Sequence, residues 1–296
     1  MQTAVFSGLA LGDGLLAMVL AHNLFLHGHE VVLFHRFLGE LQSWFPHISI
    51  QPYPPDLKKF DRFFLICENT PWMQELLNTL LTKQREKTTV LNPIATPNTD
   101  YRFWEEGQFD GNKPFAENLY LFCRDVLELP GAVRENGITP PKDVTAKKYP
   151  RRIILHPLSS RATKNWPKEK FIKLKQHLQN QGFDPCFVVA AHEKEGWEEA
   201  YCLNSLSELA TFVCESGYMI GNDSGVGHLA SCLGVPTLTI CRNARLANFW
   251  RPAWAAGEIC LPSKLLPNIK GMRLRDRFWQ KAVSVEKVLR TFDALK

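Results

Sequence analysis

Along the chain, short runs of apolar residues alternate with longer stretches in which apolar positions recur at helical spacing, which predicts repeated βα units around parallel sheets. In the first half, residues 4–7 read as a strand, followed by a glycine-rich turn and a helix over about 14–26 that Gly28 stops. Further strands are expected at 30–35, 62–67 and 88–91, with Pro71 opening a helix over 72–81. An amphipathic helix is expected near 114–127. The pattern restarts after residue 150, with strands at 152–155, 186–190, 218–220 and 237–241. Helices at 168–181, 206–215, 227–233 and 284–295 separate and follow them, and Ser284 is placed to cap the last.

Between the two halves, residues 130–150 hold Pro130, Gly131, Gly137, Pro140, Pro141 and Pro150, the chemistry of a linker. The expectation is an α/β protein of two domains, residues 1–140 and 150–283, with the helix at 284–296 a candidate to pack back on the first. Two such domains would frame a cleft, the usual place for a ligand. A chain of 296 residues is long enough for both.

Composition narrows the class. Hydrophobic residues make up 45% and charged residues 22%, which excludes a disordered or collagen-like chain. A net charge of +5 favours anionic ligands but falls short of a dedicated nucleic-acid binder. No apolar run is long enough to span a bilayer, and Asp13 stands where a secretion signal would need its apolar core, so a cytoplasmic protein is expected. The eight cysteines never fall as C-x-x-C, so structural zinc is not expected and most read as small buried hydrophobes.

Three segments at strand ends carry candidate chemistry. The first, Gly8-Leu9-Ala10-Leu11-Gly12-Asp13-Gly14, places an acid at a helix amino terminus among three glycines. Asp13 is either a cap or a general base aimed into the cleft, with Gly12 and Gly14 letting a ligand approach the backbone. The second, from His156 to Pro167, holds Ser159, Ser160 and Lys164 ahead of a helix, a set able to hold a phosphate or simply to cap that helix. The third runs from Gly221 to Ala230 and includes Asp223, Ser224, Gly225, Gly227 and His228; its backbone N–H groups would converge on an anion. It also fits a relaxed dinucleotide fingerprint, but the next strand ends in Arg242 rather than an acid, which disfavours NAD and leaves NADP as a thin alternative. His228 alone fits a structural histidine as well as a ligand contact.

The three segments, in this order, resemble the motifs of glycosyltransferase family 9, the heptosyltransferases of lipopolysaccharide core assembly. Gly221-Asn222-Asp223-Ser224-Gly225 with Gly227-His228-Leu229-Ala230 resembles the family signature, and His156-Pro157 through Trp166-Pro167 its second motif. Leu11-Gly12-Asp13 resembles its first, and the likeness runs over nearly the whole chain. It implies a GT-B fold of two Rossmann-like domains, the first binding the acceptor and the second the nucleotide sugar. It also implies an inverting, metal-independent transferase that needs no cofactor beyond its ADP-activated sugar. By the same resemblance Asp13 deprotonates the acceptor, Ser159, Ser160 and Lys164 contact the diphosphate, and Asp223, Ser224, Gly225 and His228 hold the donor sugar and phosphates. An acid on the donor ribose is implied to be Glu193 or Glu195.

The chain departs from the family pattern at Val19, at Leu158 and at Arg242-Asn243. A catalytically silent nucleotide-sugar binder on the same fold is therefore the alternative. The implied acceptor is an anionic glycolipid, with peripheral association at the cytoplasmic face of the inner membrane and no nucleic-acid partner. Lys58-Lys59-Arg62 and Arg273-Arg275-Arg277 are basic clusters that would suit such a partner or merely face solvent.

Overall fold

A computed structural model describes residues 1–53, 56–91, 109–197, 199–263, 268–269 and 272–296, with the side chains of 268, 269, 272 and 273 excepted. The chain divides into two compact units, Met1–Thr139 and Pro140–Lys296.

The first unit is built on β1 (Gln2–Phe6), α1 (Leu11–Leu26), β2 (Glu30–Phe34), β3 (Ser49–Gln51), β4 (Arg62–Ile66), α2 (Pro71–Lys83), β5 (Thr88–Leu91) and α3 (Phe115–Leu121). Its five strands are parallel, in the order β3-β2-β1-β4-β5. Strands β1 and β4 are buried along almost their whole length, as continuous apolar runs in a covered parallel sheet should be. Helix α1 is apolar on nearly every side and is buried from Gly14 to Ala21, so it forms part of the core rather than a cover over it. It begins three residues before the expected start, because Leu11 and Gly12 already take helical positions with Ala10 as the cap. Helix α3 runs on into a wider π turn over Phe122–Val126, which together cover most of the helix expected near 114–127.

The second unit comprises β6 (Tyr149–His156), α4 (Lys168–Asn180), β7 (Asp184–Val189), β8 (Tyr201–Cys202), α5 (Leu206–Cys214), β9 (Ser216–Asn222), α6 (Gly225–Cys232), β10 (Thr237–Ile240), α7 (Ala244–Trp250) and β11 (Gly257–Cys260). A short antiparallel pair, β12 (Asn268–Ile269) and β13 (Met272–Arg273), precedes α8 (Leu274–Ala282) and α9 (Val285–Asp293). The main sheet is parallel, in the order β11-β10-β9-β6-β7-β8. In both units the chain starts at a central strand, winds outward one way, then returns to wind the other. The strand order therefore reverses between β1 and β4 in the first sheet and between β6 and β9 in the second. The loops after these strands border the crevice at which doubly wound sheets bind ligands.

Two expectations need correction. The last helix does not join the first unit: Val285, Val288 and Phe292 of α9 belong to the core of the second, with Ile153, Phe171, Leu178 and Leu238. Its apolar stripe is matched by the stripe that α4 presents, and the Ser284 hydroxyl accepts the Lys287 N–H as the cap. Nor are residues 130–139 a free linker. Buried Asn23 of α1 donates to Val133 O and accepts Val133 N–H, both at 2.8 Å. Buried Asn136 donates to Leu15 O at 3.2 Å, and Thr139 N–H reaches Trp44 O at 2.8 Å. Gly137 sits at φ +78 against His22, whose Nδ1 is 2.5 Å from where a Cβ would stand. Glycine and proline here shape a segment that is laid onto α1.

Among the described residues no helix is long and apolar enough to cross a membrane. The eight cysteines are free, and five of them are buried.

Candidate functional site

In the first unit, Asp13 lies in the first turn of α1, just past the end of β1. Its Oδ2 accepts the Ala10 N–H at 3.3 Å, so the capping expectation is met in part. The carboxylate also stands over Gly8 beside Glu68, from the loop after β4. Asp13 Oδ2 and Glu68 Oε2 are each 2.6 Å from the point where a Cβ on Gly8 would be. Gly8 is thus required for space, and Gly14 likewise, since its Cβ would lie 2.7 Å from His35 Cδ2. Gly12 is buried in the same turn. Glu68 Oε1 in turn accepts from Thr70 Oγ1 at 3.0 Å and Trp72 Nε1 at 3.2 Å. This second carboxylate has no signature in the sequence; only the β1–β4 neighbourhood brings it to Asp13.

In the second unit, the segments after β6 and β9 meet. Lys164 Nζ donates to Asp223 Oδ2 at 2.8 Å, with both side chains partly open to solvent. Beneath them Asn222, buried at the end of β9, accepts the Trp166 N–H at 3.0 Å and donates to Pro157 O at 2.5 Å. One amide therefore ties both ends of the 157–166 loop to the glycine-rich turn. Gly221 lets the strands close: a Cβ there would be 2.6 Å from His156 O. His156 is a structural histidine, bonded to Val188 O at 2.9 Å, and burial lowers its pKa. Within the loop the Ser159 hydroxyl bonds Asn165 Oδ1 at 2.7 Å, so its proton is committed locally.

At the head of α6, Ser224 occupies the cap position without making a side-chain cap bond. Its Oγ and the Nδ1 of His228, one turn on, are buried polar atoms with no hydrogen-bond partner. Such groups are costly unless something satisfies them, and two in one turn at a helix amino terminus suit an anionic or hydroxylated ligand. Burial holds the His228 pKa down, opposed by the nearby Asp223 carboxylate and a backbone bond to Trp250.

A cavity of about 400 Å³ opens beside these loops, large enough for a nucleotide. Ser160, Arg161, Thr163, Lys164 and Asp223 line it, together with Cys241, Arg242 and Asn243 of the connection after β10 and Leu246 and Trp250 of α7. Of the residues singled out in the sequence, the cavity gathers Ser160, Lys164 and Asp223. Ser224, the cap of α6, and Gly225 and His228 within it follow directly in sequence but do not line the cavity, and neither do Ser159, Glu193 and Glu195. Glu193 turns back to accept the Ala190 N–H at 3.0 Å, capping the turn after β7, and Glu195 is exposed. Arg161 and Arg242 have no carboxylate partner among the described residues, so three cations face a single acid. Arg242, which stands out in the sequence only as a departure, is therefore part of the wall. The α7 contribution was legible in one signal, Asn243, whose Oδ1 accepts the N–H groups of Arg245 and Leu246 as an N-cap.

The basic clusters fall elsewhere. Arg62 opens β4 opposite Thr3, at the end of the sheet away from Asp13, and Lys58 and Lys59 precede it. Arg275 and Arg277 lie on α8, whereas the Arg273 side chain is outside the described residues.

Residues 139–269 match the model of glycosyltransferase family 9 (heptosyltransferase). No curated protein matches the chain. Among solved structures it is similar to Escherichia coli heptosyltransferase WaaC with ADP, at 13% identity and a TM-score of 0.68, covering 100% of both chains. It is likewise similar to a family 9 glycosyl transferase from Veillonella parvula, at 16% identity and a TM-score of 0.69, covering 99% of this chain and 96% of that one. E. coli ADP-heptose lipopolysaccharide heptosyltransferase II gives 14% identity and a TM-score of 0.67, with 100% and 98% covered. The fold is the GT-B fold of these enzymes.

Proposed function

We propose, since residues 139–269 match the glycosyltransferase family 9 model, that the protein transfers a sugar, heptose from ADP-heptose in the first instance, onto a lipopolysaccharide-core or similar anionic glycolipid acceptor. The observation that carries the reading is the cavity of the second unit, where Arg161, Lys164 and Arg242 outnumber Asp223, the residue that leads into the cap of α6. That arrangement suits the diphosphate of a nucleotide sugar. The solved relative bound to ADP supports the same ligand class.

In an inverting transfer the acceptor oxygen displaces the nucleotide diphosphate in line at the anomeric carbon. Positive charge grows on the sugar ring and negative charge on the departing phosphate. Asp13 serves as the base that takes the acceptor hydroxyl proton, a role worth about 10²–10⁴ in rate when the carboxylate is well aimed. Lys164, Arg161, Arg242 and the amino terminus of α6 stabilise the leaving group. With that much fixed positive charge the reading calls for no metal. Ser160 is the hydroxyl free to donate to a phosphate, and Ser159 shapes the loop through Asn165. Asp223 aims Lys164 and can accept from sugar hydroxyls, while Ser224 Oγ and His228 Nδ1 find their partners on the donor. Glu193 and Glu195 remain the two candidate acids for the ribose, although neither lines the cavity; Glu195 is exposed, whereas Glu193 commits one oxygen to the Ala190 N–H. The reaction would take place at the cytoplasmic face of the membrane that carries the acceptor.

The test is a mass-spectrometric transfer assay with ADP-heptose and a heptose-deficient lipopolysaccharide core, run beside calorimetry with ADP. A new heptosyl product supports the reading. ADP binding with no transfer from any ADP- or UDP-sugar would identify a silent nucleotide-sugar binder instead.

A further inference from the structure

Past the end of β2, His35 is almost fully buried against the first turn of α1. Its Nδ1 lies 3.1 Å from the Leu38 N–H nitrogen and 3.4 Å from that of Phe37. A ring nitrogen that receives N–H groups carries the lone pair, so the proton sits on Nε2. That Nε2 donates to Ala10 O at 3.1 Å. Ala10 is also the residue whose N–H holds Asp13 Oδ2, and whose carbonyl receives Asp13 N and Gly14 N at 3.0 and 3.2 Å. The imidazole lies close over Gly14, where any side chain would strike it. Burial keeps the ring neutral and so preserves this tautomer.

We infer that His35 is a positioning residue for Asp13: it holds the carbonyl of Ala10, and the N–H of the same residue, on the adjoining peptide, in turn aims the Asp13 carboxylate. The inference rests on the reading of Asp13 as the base. On the far side, Glu68 stands across Gly8 with its own carboxylate anchored by Thr70 and Trp72. Beside a second carboxylate, the orientation of the Asp13 side chain depends on the donors that hold it, and the Ala10 N–H is one of them. Misplacing a reacting group by about 1 Å costs up to about 10² in rate, so the clamp bears on turnover rather than on donor binding, whose residues all lie in the second unit.

The test separates the two ring nitrogens. Glutamine places its amide N–H near imidazole Nε2, and asparagine places its amide oxygen near Nδ1. His35→Gln should keep the bond to Ala10 O, whereas His35→Asn should keep only the acceptor for Leu38 N–H. Asn should therefore lower kcat by about 10-fold or more, with KM for ADP-heptose and the ADP affinity unchanged, while Gln restores kcat to near the wild-type value. Independently of any substrate, the ¹³C carboxyl signal of Asp13, assigned by its loss in Asp13→Asn, should titrate at higher pH in His35→Asn and as in wild type in His35→Gln. The direction follows because a hydrogen bond to the charged form is lost. If His35→Asn folds poorly, Gly14→Ala displaces the same ring and should raise the same titration. Equal Asp13 titration in His35→Asn, His35→Gln and wild type would overturn the inference, as would equal kcat in all three. An active Asp13→Asn would instead overturn the base reading on which it stands.

Discussion

Lys164 and Asp223 form an ion pair of 2.8 Å between two loops that the sequence separates by 59 residues. The pair is partly exposed, so its own contribution to stability is small, about 0–1 kcal/mol. Its value is local. Asp223 holds the Lys164 ammonium at the wall of the cavity, the place where the proposed function needs a phosphate contact.

Lys164→Ala should therefore weaken ADP binding by about 1.5–3 kcal/mol, the scale of a charge-assisted hydrogen bond, while moving the melting temperature little. Isothermal calorimetry beside a thermal melt checks both. Equal ADP affinity would remove Lys164 from the phosphate site.

Asn222→Ala should behave differently. It strips the Trp166 N–H and Pro157 O of their buried partner at once, and each group left unpaired costs about 1–3 kcal/mol. Both stability and ADP affinity should fall, because the loop carrying Ser160 and Lys164 loses its tie to β9. Chemical denaturation of the variant gives the first and calorimetry the second; unchanged stability would contradict the bridge.

Asp13→Asn should abolish transfer and leave ADP affinity as it was, since the cavity proposed for the nucleotide is lined wholly by residues of the second unit. An unchanged kcat would exclude Asp13 as the base.

Acid should destabilise the protein earlier than carboxylate titration alone would. His35, His156 and His228 are all buried with pKa values held below the ordinary 6.5, mainly by loss of solvation. The unfolded chain then binds more protons than the folded one once pH falls to about 6.5, so stability rises with pH through that window and is lost as pH drops through it. Melting temperatures measured from pH 7.5 to 5 should fall below about pH 6.5. His156→Gln, which removes one of the three, should flatten that slope, and an identical slope would argue against it.

Much of the fold was legible because parallel strands covered on both faces are written as short apolar runs. The residues 88–91 read as a strand match β5 to the residue. Short edge strands such as β3 carry no such run, and β8 is only two residues long, so neither was legible. The stripe of α9 was visible, but a stripe does not say which sheet it will cover. In the candidate site, the three strand-end segments could be seen because glycines and acids cluster where a ligand or a close strand needs them. Glu68 and His35 could not: each enters only through neighbours distant in sequence, across β1–β4 and β1–β2, and Arg242 was visible as a departure at its strand end but not as part of the cavity wall. Asn222 was inside a recognised segment, yet its two bonds to the 157–166 loop are a property of β6 pairing with β9.

The docking of residues 130–139 along α1 has a practical outcome. A front half cut at residue 129 would lose the partners of Asn23 and the amide of Asn136, exposing polar groups in the middle of an otherwise apolar helix. To be produced alone, that half must extend to Thr139, whose N–H closes on Trp44.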